Sequence, residues 1–88
     1  FELVMRGKIL ETNYGGNYVT PSICYMKNAK AEASKKSVYQ QTELFAPNVG
    51  IQSVSSLDEA ISLANATQYG LVTSVFTKSR KIFETAYE

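Results

Sequence analysis

The 88-residue sequence contains no histidine and a single cysteine, Cys24. Without histidine there is no Ser-His-Asp triad, no Cys-His pair and no His/Cys metal cluster, and one cysteine cannot close an internal disulfide. Most self-contained enzyme sites are therefore excluded. An excess of charge of one sign is also missing. Nine basic side chains stand against eight acidic ones, a net charge of +1, so the chain has no electrostatic footprint for nucleic acid or for an acidic membrane. Apolar runs are short, which leaves neither a transmembrane helix nor the apolar stretch of a secretion signal. The expected setting is soluble and cytoplasmic.

What is present is globular in character: 44% of residues are apolar and 19% charged, outside the range of disordered chains. A chain of this length forms one domain at most and buries only roughly 60–65% of its unfolded surface, so a thin core is expected. There is no internal repeat and no low-complexity linker. The chain starts at Phe1 and stops at Glu88 inside an apparent helix, and both ends look cut.

Phe1 to Leu10 reads as a weak strand interrupted at Gly7. Asn13-Tyr14-Gly15-Gly16-Asn17 supplies residues that tolerate positive φ and reads as a turn. Tyr18 to Met26 is rich in β-formers, with Pro21 marking an edge or a bulge; it is expected to form a hairpin with the first strand. Lys27 to Lys36 has no apolar face and reads as an exposed loop rather than a basic recognition element. Asn48 to Val54 forms a further strand, with Val49 and Ile51 on one face. Ser56 and Glu59 have capping-box spacing, and Leu57, Ala60, Ile61 and Ala64 make one apolar stripe. A helix over 57–68 is expected, ending with Gly70 as a left-handed C′ residue. Leu71 to Thr77 is β-branched and predicts a strand. Ser79 then caps a helix whose buried face is Ile82, Phe83, Ala86 and Tyr87. Strand, helix and strand over about 30 residues make a βαβ unit with a sheet at least partly parallel. The class is α/β.

Few residues are candidates for chemistry. Cys24 lies in PSICYM, with no basic neighbour or helix start to lower its pKa, and is expected to be a buried structural residue. Gly15, Gly16 and Gly50 form neither G-x-G-x-x-G nor a Walker loop. Asp58 and Glu59 sit in a first helical turn, where capping and the macrodipole account for them. Glu43 and Phe45, in Thr42-Glu43-Leu44-Phe45-Ala46-Pro47, remain. They belong either to a turn that carries a charge or to one wall of a binding site. On an extended backbone, positions two apart share a face. A carboxylate with two acceptor oxygens suits a ribose diol, and a flat ring beside it suits a heterocycle.

TELFAP, then a strand, then LDEAISLANATQYGL, then SVFT resembles the aldehyde dehydrogenase superfamily, with its E-x-F-G-P segment, D-E-A-I-x-x-A-N-x-T-x-Y-G-L helix and turn, and V-F-T strand. YVTPSI resembles the aromatic-x-x-P-T-I strand of the same family. The likeness spans residues 17 to 88 in order. It implies that residues 1–88 are a fragment of the later catalytic domain, part of a longer NAD- or NADP-dependent enzyme with a Rossmann-type domain and an oligomerisation arm. The remainder of that enzyme, an aldehyde substrate and a homo-oligomer are the implied partners. In such enzymes a cysteine attacks the aldehyde, hydride passes to the nicotinamide, and water activated by a glutamate hydrolyses the thioester. Cys24 does not match the nucleophile's surroundings, so no catalytic residue is expected here and the fragment alone is expected to be inactive. Glu43 matches the glutamate on the nicotinamide ribose and Phe45 the phenylalanine beside the nicotinamide. Ala46 stands where glycine is usual, which is harmless if the backbone is extended there and strained if it needs positive φ. TPSI and SRKIFE look most similar to succinylglutamate semialdehyde dehydrogenases of arginine breakdown. The rival from another class is a small non-catalytic α/β domain that binds a partner through its sheet edge.

Overall fold

A computed structural model describes all of residues 1–88. The first β-forming run divides at Gly7 into β1 (Glu2–Met5) and β2 (Ile9–Leu10). A Cβ on Gly7 would lie 2.9 Å from the Thr20 carbonyl oxygen, so the close passage of the two segments depends on glycine. The turn that follows uses positive φ at Gly15 (69°) and Gly16 (95°). The second run divides at Thr20-Pro21 into β3 (Tyr18–Val19) and β4 (Ser22–Met26), because proline has no N–H to continue a ladder. Pairing is antiparallel, β2 with β3 and β1 with β4, so the expected hairpin forms but is split between two sheets.

After β4 the chain turns at Asn28, whose φ of 53° is the only positive value outside glycine, a conformation asparagine tolerates. A helical turn, α1 (Ala31–Ser34), follows, and the chain returns as β5 (Asn48–Gln52). β5 pairs parallel to β4 from Ser22↔Asn48 through Met26↔Gln52, which gives the sheet order β1-β4-β5. The mixed α/β class and the partly parallel sheet agree with expectation, although the parallel pair is β4–β5. α2 (Leu57–Ala64) and α3 (Arg80–Tyr87) complete the chain. Ser56 Oγ accepts from Glu59 N at 3.2 Å, and Ser79 Oγ accepts from Ile82 N at 3.3 Å, so both predicted N-caps form. The Glu59 carboxylate meets Lys30 at 3.4 Å.

Several expectations change. Lys27 to Lys36 is not an exposed loop throughout: it contains α1, and its Ala29 and Ser34 are 2% and 4% exposed. Together with Ala66 they are the only buried residues, so no large apolar side chain is buried and the thin core is absent. α2 ends at Ala64, not residue 68, with Asn65 as C-cap and no positive φ at Gly70; Ala66 N donates to the Leu63 carbonyl in a tightened last turn, and the Ala66 carbonyl accepts from Gln41. Leu71 to Thr77 has β-forming residues but no strand, and Leu71 and Phe76 are almost fully exposed. β-propensity measures fit to a pleated, half-buried surface, and no strand of this chain pairs with the segment. Ile82, Phe83 and Tyr87 of α3 are likewise exposed. The radius of gyration is 15.9 Å, against about 12 Å for a compact domain of this length.

These uncovered apolar surfaces and the unpaired β-forming segment predict association of the isolated chain. Sedimentation velocity at increasing concentration should show species larger than the monomer; a monomer at all concentrations would contradict this.

Candidate functional site

Parallel strands need a long crossover between them, and here the crossover, residues 27–47, carries α1 and the Glu43–Phe45 segment to the start of β5. The segment is held at both ends. On its N-terminal side the Gln41 side-chain amide donates to the carbonyl oxygens of Ser34 (3.0 Å) and Ala66 (2.7 Å). These lie at or just beyond the C-terminal ends of α1 and α2, where helix carbonyls lack intrahelical partners. One NH₂ group has two donors, so a single side chain serves both, for about 1 kcal/mol each. Thr42 Oγ1 also donates to the Val38 carbonyl at 2.6 Å. On the C-terminal side Ser22 N donates to the Pro47 carbonyl at 3.0 Å and Asn48 N to that of Ala46 at 2.8 Å.

Beneath the segment a polar chain joins the crossover to the sheet. The Tyr39 hydroxyl donates to Asn48 Oδ1, and Asn48 Nδ2 donates to Ser22 Oγ at 2.7 Å. The Tyr39 ring packs edge-on against Phe1, with centroids 4.8 Å apart. It also covers Gly50, where a Cβ would stand 3.0 Å from the Tyr39 oxygen. Burial pushes the Tyr39 hydroxyl above its usual pKa, the neighbouring Cys24 adds to this, and the bond to Asn48 partly opposes it. Cys24 itself is half-buried on β4, not fully buried as expected.

A cleft of about 350 Å³ opens between the crossover, β5 and α2, lined in part by Tyr39, Leu44, Gln52 and Leu63. Leu44, 47% exposed, lines this cleft, while its neighbours Glu43 and Phe45 do not. Phe45 is 93% exposed, and the Glu43 carboxylate takes part in none of the ion pairs, Lys30–Glu59, Lys35–Glu32 and Arg80–Glu84. An acid with free acceptor oxygens and a bare ring in the same short segment have the chemistry that a ribose diol and its heterocycle require. Ala46 is not in the left-handed region, so alanine fits there without backbone strain.

Gln41, Tyr39, Leu44 and Asn48 were not found as site residues by sequence reasoning. The partners of Gln41 are backbone carbonyls 7 and 25 positions away, which leave no local pattern. A weak signal existed for Leu44: on an extended backbone it must face opposite to Glu43 and Phe45.

The model of the aldehyde dehydrogenase family matches residues 1–88, and the chain belongs to that family. It is 40% identical over 65 residues to a 1-pyrroline-5-carboxylate dehydrogenase of Bacillus licheniformis, covering 74% of this chain and 11% of the relative. It is 35% identical over 77 residues to aldehyde dehydrogenase family 7 member A1 of Pisum sativum, covering 88% and 13%. A D-glyceraldehyde dehydrogenase (NADP(+)) of Thermoplasma acidophilum is 43% identical over 56 residues, covering 64% and 11%. The chain thus spans about an eighth or less of the length of these relatives. No solved structure matches it.

Tyr39 yields a pH prediction. Its folded pKa lies above the unfolded value of 10.0, so its contribution to stability is intact below pH 10 and is lost as pH rises from there through the folded pKa. Above pH 10, denaturation of the intact protein should show stability falling more steeply with pH in wild type than in Tyr39→Phe. Parallel slopes would contradict the shift.

Proposed function

We propose that this chain is part of the later catalytic domain of an NAD- or NADP-dependent aldehyde dehydrogenase that oxidises an aldehyde or semialdehyde to a carboxylate. In this reading Glu43 and Phe45 form one wall of the nicotinamide riboside site. The observation that carries it is the pair's state: an acid in no ion pair and a ring 93% exposed, on a segment anchored at both ends by Gln41 and Pro47. The family membership supports it.

The Glu43 carboxylate would accept from the ribose hydroxyls and the Phe45 ring would lie against the nicotinamide, which when bound accepts the hydride taken from the substrate. The chain supplies position and shelter from water; the nucleophile and the base come from elsewhere in the enzyme. Cofactors of open parallel sheets bind beyond the carboxyl ends of the strands, whereas Glu43 and Phe45 precede β5. This wall therefore faces a cofactor carried mainly by another domain. The rest of the enzyme, including that Rossmann-type domain, and further copies of the enzyme are the proposed partners, in the cytoplasm; no helix here is long and apolar enough to cross a membrane. TPSI and SRKIFE favour succinylglutamate semialdehyde as the narrower substrate, while two Bacillus relatives carry the name 1-pyrroline-5-carboxylate dehydrogenase. Both readings fall within aldehyde or semialdehyde oxidation. A free-standing interaction domain is disfavoured by a family match along the whole chain.

In the intact enzyme Glu43→Gln should weaken NAD(P) binding about tenfold, the loss of roughly 1.4 kcal/mol from charge-assisted hydrogen bonds, and Phe45→Ala should do the same or more. Calorimetric titration with each cofactor measures this. Unchanged affinity in both variants would overturn the reading, as would micromolar cofactor binding by the isolated chain.

A further inference from the structure

We propose that Gln41 is a positioning residue for the cofactor: its side-chain amide ties the ends of α1 and α2 together and so fixes the segment that presents Glu43 and Phe45. The inference rests on the reading of Glu43 and Phe45 given above and adds to it a residue that does not touch the ligand. Gln41 is partly buried, and its Nε2 donates at 3.0 and 2.7 Å to two carbonyls from different parts of the chain, Ser34 and Ala66. The Ala66 carbonyl receives no backbone N–H, so in this buried residue Gln41 is its only donor. Removing that donor leaves a polar group unsatisfied.

The same side chain sits two residues before Glu43. Between them the only further side-chain tie is Thr42 Oγ1 to the Val38 carbonyl, which lies within the same segment and does not fix it to the rest of the fold. With Gln41 released, the nearest hydrogen bond to the rest of the fold on the N-terminal side is that of Tyr39 to Asn48, four residues before Glu43. A ligand held by these two side chains must then order the segment as it binds, and affinity falls accordingly. Turnover at saturating cofactor is affected less than affinity, because Gln41 contacts no reacting atom.

The experiment is a double-mutant cycle in the intact enzyme, with NAD⁺ and NADP⁺ each titrated by calorimetry and aldehyde KM and kcat measured at saturating cofactor. Gln41→Met keeps the side-chain length and removes the donors; it should raise the cofactor Kd at least fivefold, leave the aldehyde KM within twofold, and lose most of its effect in a Glu43→Ala background. A coupled cycle of this kind is the signature of two residues acting on one interaction. Gln41→Lys, which restores a donor, should recover most of the lost affinity. If Gln41→Met gives no folded enzyme, Gln41→Asn, with its amide withdrawn by one methylene, replaces it with the same expected loss. Glu43→Ala weakening the cofactor while the Gln41 variants do not, or both weakening it independently, would overturn the role of Gln41 alone. No effect of Glu43→Ala would overturn the cofactor reading beneath it.

Discussion

The parallel pairing of β4 with β5 is the constraint on which the rest of this chain depends. Its register, Ser22↔Asn48 to Met26↔Gln52, obliges residues 27–47 to travel back along the sheet as a crossover. That crossover contains α1, Tyr39, Gln41 and the Glu43–Phe45 segment, and β5 adds Asn48 where the crossover ends. Tyr39 and Asn48 join its middle to the start of both strands through Ser22. The tight approach of the Tyr39 ring is possible because β5 has Gly50 beneath it. A slip of β5 by one residue would put a side chain under that ring and move the anchor of Pro47 away from Ser22.

Beyond this nucleus the chain has apolar surface without an opposing layer. α2 and α3 each have a satisfied N-cap and an amphipathic pattern, yet neither buries a residue. Leu71 to Thr77 has the composition of a strand and no partner. A chain spanning 11–13% of its relatives' length has the surfaces expected of one part of a larger domain, and its local structure is set by caps, turns and one short sheet instead of a core. The polar ties of Gln41, Tyr39 and Asn48 thus contribute a larger share of local order here than in a domain with a closed core.

How much was legible from the sequence follows from the range of each interaction. The N-caps at Ser56 and Ser79, the glycine turn at 15–16 and the break at Pro21 are set by neighbours within three or four residues, and all were readable. The split of the first run at Gly7 was visible as an interruption, but its cause is the Thr20 carbonyl across the turn. The strand expected over Leu71–Thr77 and the buried face of α3 require partners that no residue of this chain provides. α2 ends at Ala64, and just beyond it the Ala66 carbonyl is taken by Gln41, an interaction over 25 positions that no local pattern announces. For the candidate site, the acid and ring were singled out by their types and spacing together with the resemblance to the family. The residues that hold them in place act through backbone carbonyls and could not be.

The central claim is that Glu43 and Phe45 face the nicotinamide riboside of a cofactor bound mainly by another part of the enzyme. A crystal structure of the intact enzyme with NAD⁺ or NADP⁺ bound tests it most directly. The account predicts the Glu43 carboxylate within hydrogen-bonding distance of the nicotinamide ribose hydroxyls and the Phe45 ring against the nicotinamide. A cofactor lying elsewhere, with Glu43 and Phe45 in solvent or covered by protein alone, would contradict it.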